Sequence, residues 1–475
     1  MTVATWLDCL KCKPAETMPL PDAAYIPPRP KSLPAVAALV RTMLQGDGDL
    51  LSLLPAYAYT SPVRFIGYSR RQILIVNDPA LVRRVMVEEA DRFPKSDLMV
   101  GALAPLVGDS LFVSHGARWR RQRQMIDPAF SQLRVERAFG AMDAAVTDYE
   151  ARLEAAARSG EPVSLDLAMS HLTADIICRT VFSHTLESET AREVFEDFLH
   201  FERTVAHVEI RRLIFDKAWS ETPQSPDVLA ACGRIRGHIG DLLDTHLAEG
   251  ATYDDIAAMV AAAEDPADGS RFTREELIDQ LGVFFLAGHE TTASGLTWTL
   301  YALAERPDLA ERARAEVASV CGTAMPTLAD IKAMPFLRNL FKEALRLYPP
   351  ITFIPRVAAE PCEIGGHRLR RGAMVMIAPW AIHRHHALWD RPDEFDPDRW
   401  DGPAPAQGTY LPFGYGPRIC IGAGFAGMES ALILARLVRR FAFETVPGQT
   451  VRPVARLTTR PRDQIMARVR ALAPA

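Results

Sequence analysis

Residues 273–304 constrain the fold more than any other stretch of this chain. Thr273 followed three residues later by Glu276 is a capping-box start, and Pro307 stands just beyond the far end. About 32 residues at roughly 1.5 Å rise give a helix close to 50 Å long, enough to cross a domain. Its middle, Leu281-Gly-Val-Phe-Phe-Leu-Ala-Gly-His-Glu-Thr-Thr, is mainly apolar and is expected to be buried. The surrounding sequence suits that role. Most segments up to about residue 350 carry Ala, Leu, Arg and Glu at helical spacing. Residues 63–67 and 72–76 predict short strands about a turn at Tyr68-Ser69-Arg70-Arg71. Residues 351–380 predict more short strands and turns, 423–442 a helix, and 450–470 a closing hairpin. The expected architecture is mainly α with a minor β portion. It forms one domain over 35–475, after an extended Pro-rich lead-in over 1–34.

Composition narrows the function classes. The net charge is -5, and no basic run is long enough to track nucleic-acid phosphates. Seven cysteines at irregular spacing do not make a disulfide framework, which fits a reducing cytoplasm. Cys9 and Cys12 form a CxxC pair without further ligands nearby, and read as two thiols in a loose terminus. The N-terminus has no basic segment leading into an apolar stretch, and no apolar run reaches the roughly 18 residues of a spanning helix. The expectation is a cytoplasmic monomer with neither a nucleic-acid partner nor a transmembrane anchor.

Two unfavourable choices sit together in the long helix. Gly288 in a helix interior costs about 1 kcal/mol relative to Ala. Glu290 against an apolar wall costs more unless it is paired or protonated. Their adjacency points to function. A second concentration of unusual residues is Phe413-Gly414-Tyr415-Gly416-Pro417-Arg418-Ile419-Cys420-Ile421-Gly422. Glycines permit positive φ and close backbone approach to a flat ligand. A cysteine ahead of a helix is favoured as thiolate, the form that binds metal. One cysteine cannot build a tetrahedral zinc site, but it can be the single axial ligand of a haem.

That ten-residue string resembles the haem-binding loop of the cytochrome P450 superfamily at every fixed position. Further matches follow in the expected order. Ala287-Gly-His-Glu290-Thr291-Thr resembles the central-helix motif, and Glu343 with Arg346 resembles the ExxR helix. Phe395-Asp-Pro-Asp-Arg399-Trp supplies the third member of a structural triad. Trp400 stands where Phe is commoner, without expected functional consequence.

The resemblance implies haem b with Cys420 as axial thiolate, cradled by Phe413, Gly414, Gly422 and Ala287. It implies that Trp119, Arg123, Arg356 and Arg418 face the haem carboxylates. It makes Thr291 the hydrogen-bond donor to the oxygen being activated, and Glu290 the link to a proton source. His289 is expected to face away and bond locally. Phe284, Thr352, Phe353, Ile354, Leu457 and Thr458 are expected to line the substrate pocket, under a roof from Phe93 to Leu111.

The implied activity is insertion of one atom of molecular oxygen into a C–H or C=C bond of a small apolar substrate. Electrons would come from NAD(P)H through a separate ferredoxin or flavodoxin-type donor with its reductase. Arg118, Arg120 and Arg121 are expected to form a basic patch that steers this donor. The alternatives are a peroxide-driven hydroxylase, non-oxygenase haem chemistry on the same fold, or a haem-binding sensor without turnover. Glu290 and Thr291 argue against the peroxide-driven and the sensor readings.

Overall fold

The computed structural model describes residues 25–45, 49–66, 70–187, 189–205, 223–248 and 253–473. Cys9, Cys12, the first part of the Pro-rich lead-in and the Tyr68-Ser69 turn lie outside the described residues. The later part of the lead-in is extended, as its prolines require, and is tied to the core. The Phe395 amide donates to the Tyr25 carbonyl at 2.9 Å, and the Tyr348 hydroxyl donates to the Pro28 carbonyl at 2.6 Å.

The fold is helical around one central element. We label Asp97–Val107 α1, Gly116–Ile126 α2, Phe139–Ser159 α3, Leu165–Val181 α4, Pro226–Ala248 α5, Arg274–Glu305 α6, Pro335–Leu347 α7 and Ala423–Arg440 α8. The capping box that sets the start of α6 has both halves: Glu276 N donates to Thr273 Oγ1 at 3.2 Å and Thr273 N to Glu276 Oε2 at 2.9 Å. Almost the whole of α6 is buried. Its closest companion is α4, and Gly288 is the reason the two approach: a Cβ there would lie 2.4 Å from Ile177 Cδ1. The small residue thus serves helix–helix packing as well as the cavity described below.

Short strands frame this body. Val63–Phe65 (β1), Ile73–Val76 (β2), Ile354–Val357 (β4) and Met374–Ile377 (β7) form a four-stranded sheet in the order β1-β2-β7-β4. β2 and β7 are parallel, with Ile75 opposite Met376, and β4 runs antiparallel with Arg356 opposite Val375. Val163–Ser164 (β3), Phe441–Thr445 (β8) and Met466–Ala471 (β11) make a second sheet. Cys362–Ile364 (β5) and His367–Leu369 (β6) pair around Gly365-Gly366, both at positive φ. Pro453–Ala455 (β9) and Thr459–Pro461 (β10) pair as the expected hairpin with residues 456–458 at its tip. No helix among the described residues is long and apolar enough to cross a membrane.

Candidate active site

A cavity of about 440 Å³ is lined by the middle of α6 and by the loop that carries Cys420. Ala287, Gly288 and Thr291 contribute from the helix, and Phe413, Gly414, Cys420 and Gly422 from the loop. The loop geometry needs its glycines. Gly416 has φ +73, and a Cβ there would lie 2.6 Å from the Met86 carbonyl oxygen. The Cys420 amide donates to the Phe413 carbonyl at 2.8 Å, which folds the loop back on itself. The sulfur is open to the cavity. Burial on its other sides raises the thiol pKa, against the opposing pull of the Gly422 amide and Arg123. Metal binding would displace that proton, since the thiolate is the ligand.

A buried ion network ties α7 to the segment 383–399 that precedes the loop. Arg346 forks onto Glu343 with contacts of 2.7 and 2.9 Å, and neither side chain has measurable exposure. Its remaining donors reach the carbonyls of His383 (2.8 Å), Pro392 (2.6 Å) and Glu394 (2.7 Å). Arg399 Nε and the Asp396 amide both donate to Glu343 Oε1 at 2.9 Å. Burial opposes ionisation of Glu343, yet Arg346 and then Arg399 overcome it and hold the carboxyl below its ordinary value. Trp400 is not a bystander, as its residue type suggested: its indole N–H donates to Glu343 Oε2 at 3.1 Å, which Phe cannot do.

His383 relays this network to the cysteine loop. Its Nδ1 lies 3.0 Å from the Arg346 carbonyl, and its Nε2 accepts from the Leu411 amide at 2.7 Å. An accepting Nε2 makes the ring neutral with its proton on Nδ1. Burial agrees, lowering the pKa to about 3.

Cations gather on another wall. Lys95 and Arg356 are opposite partners in an antiparallel bridge, so backbone pairing sets their side chains next to each other. Arg418 is stacked over the Trp119 ring at 4.4 Å and donates to the Ser114 carbonyl at 2.9 Å. Its Nη1 is buried without a hydrogen-bond partner among the described residues. Burial, and then Arg418, lowers the Arg356 pKa to about 10; burial lowers Arg418 to about 10 as well. Lys95 is driven well below its ordinary value by burial, then by these two arginines. Arg123 faces the cavity but is already engaged, with Asp127 at 2.6 Å and the Ile419 carbonyl at 2.8 Å.

The acid and the alcohol on α6 point differently. Thr291 lines the cavity, and its hydroxyl donates to the Ala287 carbonyl at 2.7 Å within an unbroken helix. Glu290 is buried and turned towards the β9–β10 hairpin. It accepts from Thr458 Oγ1 at 2.6 Å and is ion-paired with Arg460. Thr458 therefore does not line the pocket as expected, because its hydroxyl is committed to Glu290. Phe284, Thr352, Phe353, Ile354 and Leu457 do line it, with Leu98, Met99 and Leu103 from the expected roof. His289 faces away from the cavity, with Nδ1 2.7 Å from the Phe285 carbonyl and its ring among Phe195, Phe198 and Phe285.

The expected basic patch is neutralised. Arg118 pairs with Asp109, Arg121 with Asp265 (3.0 Å) and Glu276 (3.3 Å), and Arg120 lies 3.8 Å from Asp91. Asp91, Asp109, Asp265 and Glu276 offset the local Arg cluster.

The family model for cytochrome P450 matches residues 27–467. The chain belongs to the cytochrome P450 family. It is similar to cyclooctatin synthase of Streptomyces melanosporofaciens, 32% identical over 85% of this chain and 87% of that protein. Cyclooctat-9-en-7-ol 5-monooxygenase of the same organism is 32% identical over 89% of this chain and 90% of its own length. LUTEIN DEFICIENT 5, a chloroplastic protein of Arabidopsis thaliana, is 31% identical over 83% and 69%. Among solved structures, the cytochrome P450DA haem domain superposes with a TM-score of 0.76 at 25% identity, covering 94% of this chain and 97% of that one. This P450 is thus a monooxygenase-family oxidoreductase that uses haem b.

The residues present fit that cofactor. A sulfur faces the cavity from a glycine-shaped loop, and three cations, Arg356 buried and Lys95 and Arg418 part-buried, lack a carboxylate ion-pair partner among the described residues that a haem's two carboxylates would supply. Lys95 was not singled out by sequence reasoning, because only the bridge to Arg356 brings it there. Glu429 on α8 was missed as well. It is fully buried beside Thr292, and burial pushes its carboxyl well above the ordinary value, with the Thr292 hydroxyl opposing. An acid on the apolar face of α8 was the available signal.

Proposed function

We propose that this P450 inserts one atom of dioxygen into a C–H or C=C bond of a small, largely apolar molecule. One observation carries the reading: the Cys420 sulfur and the Thr291 hydroxyl face the same apolar cavity. Bound haem, with Cys420 as its ligand, would supply oxygen activation. Lys95, Arg356, Arg418 and Trp119 would hold its carboxylates, and Phe413, Gly414, Gly422 and Ala287 would cradle its faces. Glu343, Arg346 and Arg399 act as the structural support of the cysteine loop.

Thr291 is the hydroxyl that presents a proton at the cavity. Glu290, one residue earlier, is the proton-linked group behind it. Its partner Arg460 has 23% side-chain exposure, so the pair connects the helix interior to solvent. A carboxylate that exchanges between Arg460 and water can pass protons towards Thr291. Electrons come from NAD(P)H through a separate ferredoxin or flavodoxin-type donor and its reductase. Neutralisation of Arg118, Arg120 and Arg121 argues that this donor is not steered by that patch. We read residues 35–475 as one haem domain acting as a cytoplasmic monomer of the soluble, bacterial type.

Paired turnover assays test the proposal. With oxygen and a surrogate reductase, Thr291→Ala should lower product formed per oxygen consumed by about a hundredfold, the lower end of general-acid contributions. Peroxide-supported product formation should fall much less. Equal losses in both assays would remove Thr291 from oxygen activation.

A further inference from the structure

Five cationic side chains line the cavity, and no carboxylate does among the described residues. Lys95, Arg356 and Arg418 form the cluster that suits the haem carboxylates, and Arg123 is paired with Asp127. Arg456 remains. It sits at the tip of the β9–β10 hairpin, beside Leu457. Its Nε is buried with no hydrogen-bond partner among the described residues. Its neighbours Thr458 and Arg460 serve Glu290 instead.

The hairpin holds Arg456 in place. Asp49 Oδ1 accepts from the Ala455 amide at 2.9 Å and from the Leu51 amide at 3.0 Å, which joins the hairpin to the apolar wall of Leu50, Leu53 and Leu54. On its far strand, Thr459 N donates to the Pro350 carbonyl at 2.8 Å, next to the wall formed by Ile351 to Ile354. Arg456 is therefore a positioned charge between apolar surfaces. The Arg456 side chain is part-buried, with its Nε shielded from solvent, and a guanidinium is a fixed cation. A cation in such surroundings calls for an anion, and its planar fork matches a carboxylate.

We propose that the substrate is an apolar molecule bearing a carboxylate, and that Arg456 binds this group while the body lies along the apolar wall. The proposal refines the substrate class of the function given above and rests on it. Arg456 is a specificity-determining residue, not a member of the oxygen-activating pair.

Ligand-induced spectral shifts of the ferric holoenzyme test it. The probes are a series of saturated fatty acids of increasing length with the matching primary alcohols, methyl esters and amines. The acids should bind about tenfold or more tighter than the alcohols and esters, the range of a hydrogen bond to a charged group. Arg456→Gln should abolish that preference, Arg456→Lys should keep part of it, and Arg456→Glu should favour the amines. The carbonyl spectrum of the reduced protein should stay red-shifted in every variant. Absence of acid selectivity across the series, or selectivity that survives Arg456→Gln, overturns the proposal. A carbonyl spectrum without the red shift in the unmodified protein would instead overturn the haem-thiolate reading beneath it.

Discussion

The support behind the cysteine loop and the wall facing the cavity treat charge in opposite ways. Behind the loop, Glu343 accepts five hydrogen bonds from four residues, and Arg346 satisfies its nitrogens on Glu343 and three carbonyls. Nothing further is needed there. On the wall, Lys95, Arg356 and Arg418 crowd together with no carboxylate among the described residues that line the cavity. Both regions are densely charged and at least part-buried, so burial alone does not separate scaffold from binding site. Completeness of pairing does. A finished network is structure, and an unfinished one marks where a ligand belongs.

The largest effect should come from breaking the finished network. Arg346→Leu leaves Glu343 with less compensation and strands three buried carbonyls. Removing one partner of a buried ion pair costs about 3–5 kcal/mol, a large part of a typical domain's stability. The variant should accumulate with little haem and show a strongly lowered unfolding midpoint. Full haem content with an unchanged midpoint would show that the network is dispensable.

How much of this was legible in the sequence differs between the same two regions. Glu343 and Arg346 sit three apart on a helix, so local spacing alone put them on one face. The capping box placed the start of α6 within a residue for the same local reason. The cation wall was only half legible. Trp119 and Arg123 share a helical face, but Arg123 was taken up by Asp127. Lys95 joins Arg356 through a bridge across about 260 residues, which no local pattern encodes. Thr458 failed as a pocket residue because its partner Glu290 lies on another element. Long-range pairing is the common cause of what was missed.

A middle-sized effect should follow from the unfinished wall. Lys95→Met removes one cation from the proposed carboxylate cluster and keeps much of the side-chain volume. Loss of one charge-assisted hydrogen bond, about 1.5–3 kcal/mol, should speed haem transfer to a scavenging protein by about tenfold or more. Helix content should be unchanged, because the protein partner of the Lys95 ammonium, Phe112, lies between α1 and α2 and not in a helix. A transfer rate equal to that of the unmodified protein would remove Lys95 from the cluster and weaken the contrast between the regions.

The smallest effect sharpens the comparison from the scaffold side. Trp400→Phe deletes one donor to Glu343 Oε2, an oxygen that Arg346 Nε still reaches at 2.9 Å. The remaining ring keeps its place beside Tyr410, whose centroid lies 4.6 Å away, so packing is largely preserved. The loss should therefore be that of one hydrogen bond with its acceptor still satisfied, about 1 kcal/mol. Denaturant unfolding of the holoenzyme should show a lower midpoint with the same slope, while turnover and haem transfer stay unchanged. If turnover fell while stability held, the indole would be acting on the cysteine ligand rather than on the scaffold. The boundary between the two regions would then lie on the far side of Glu343.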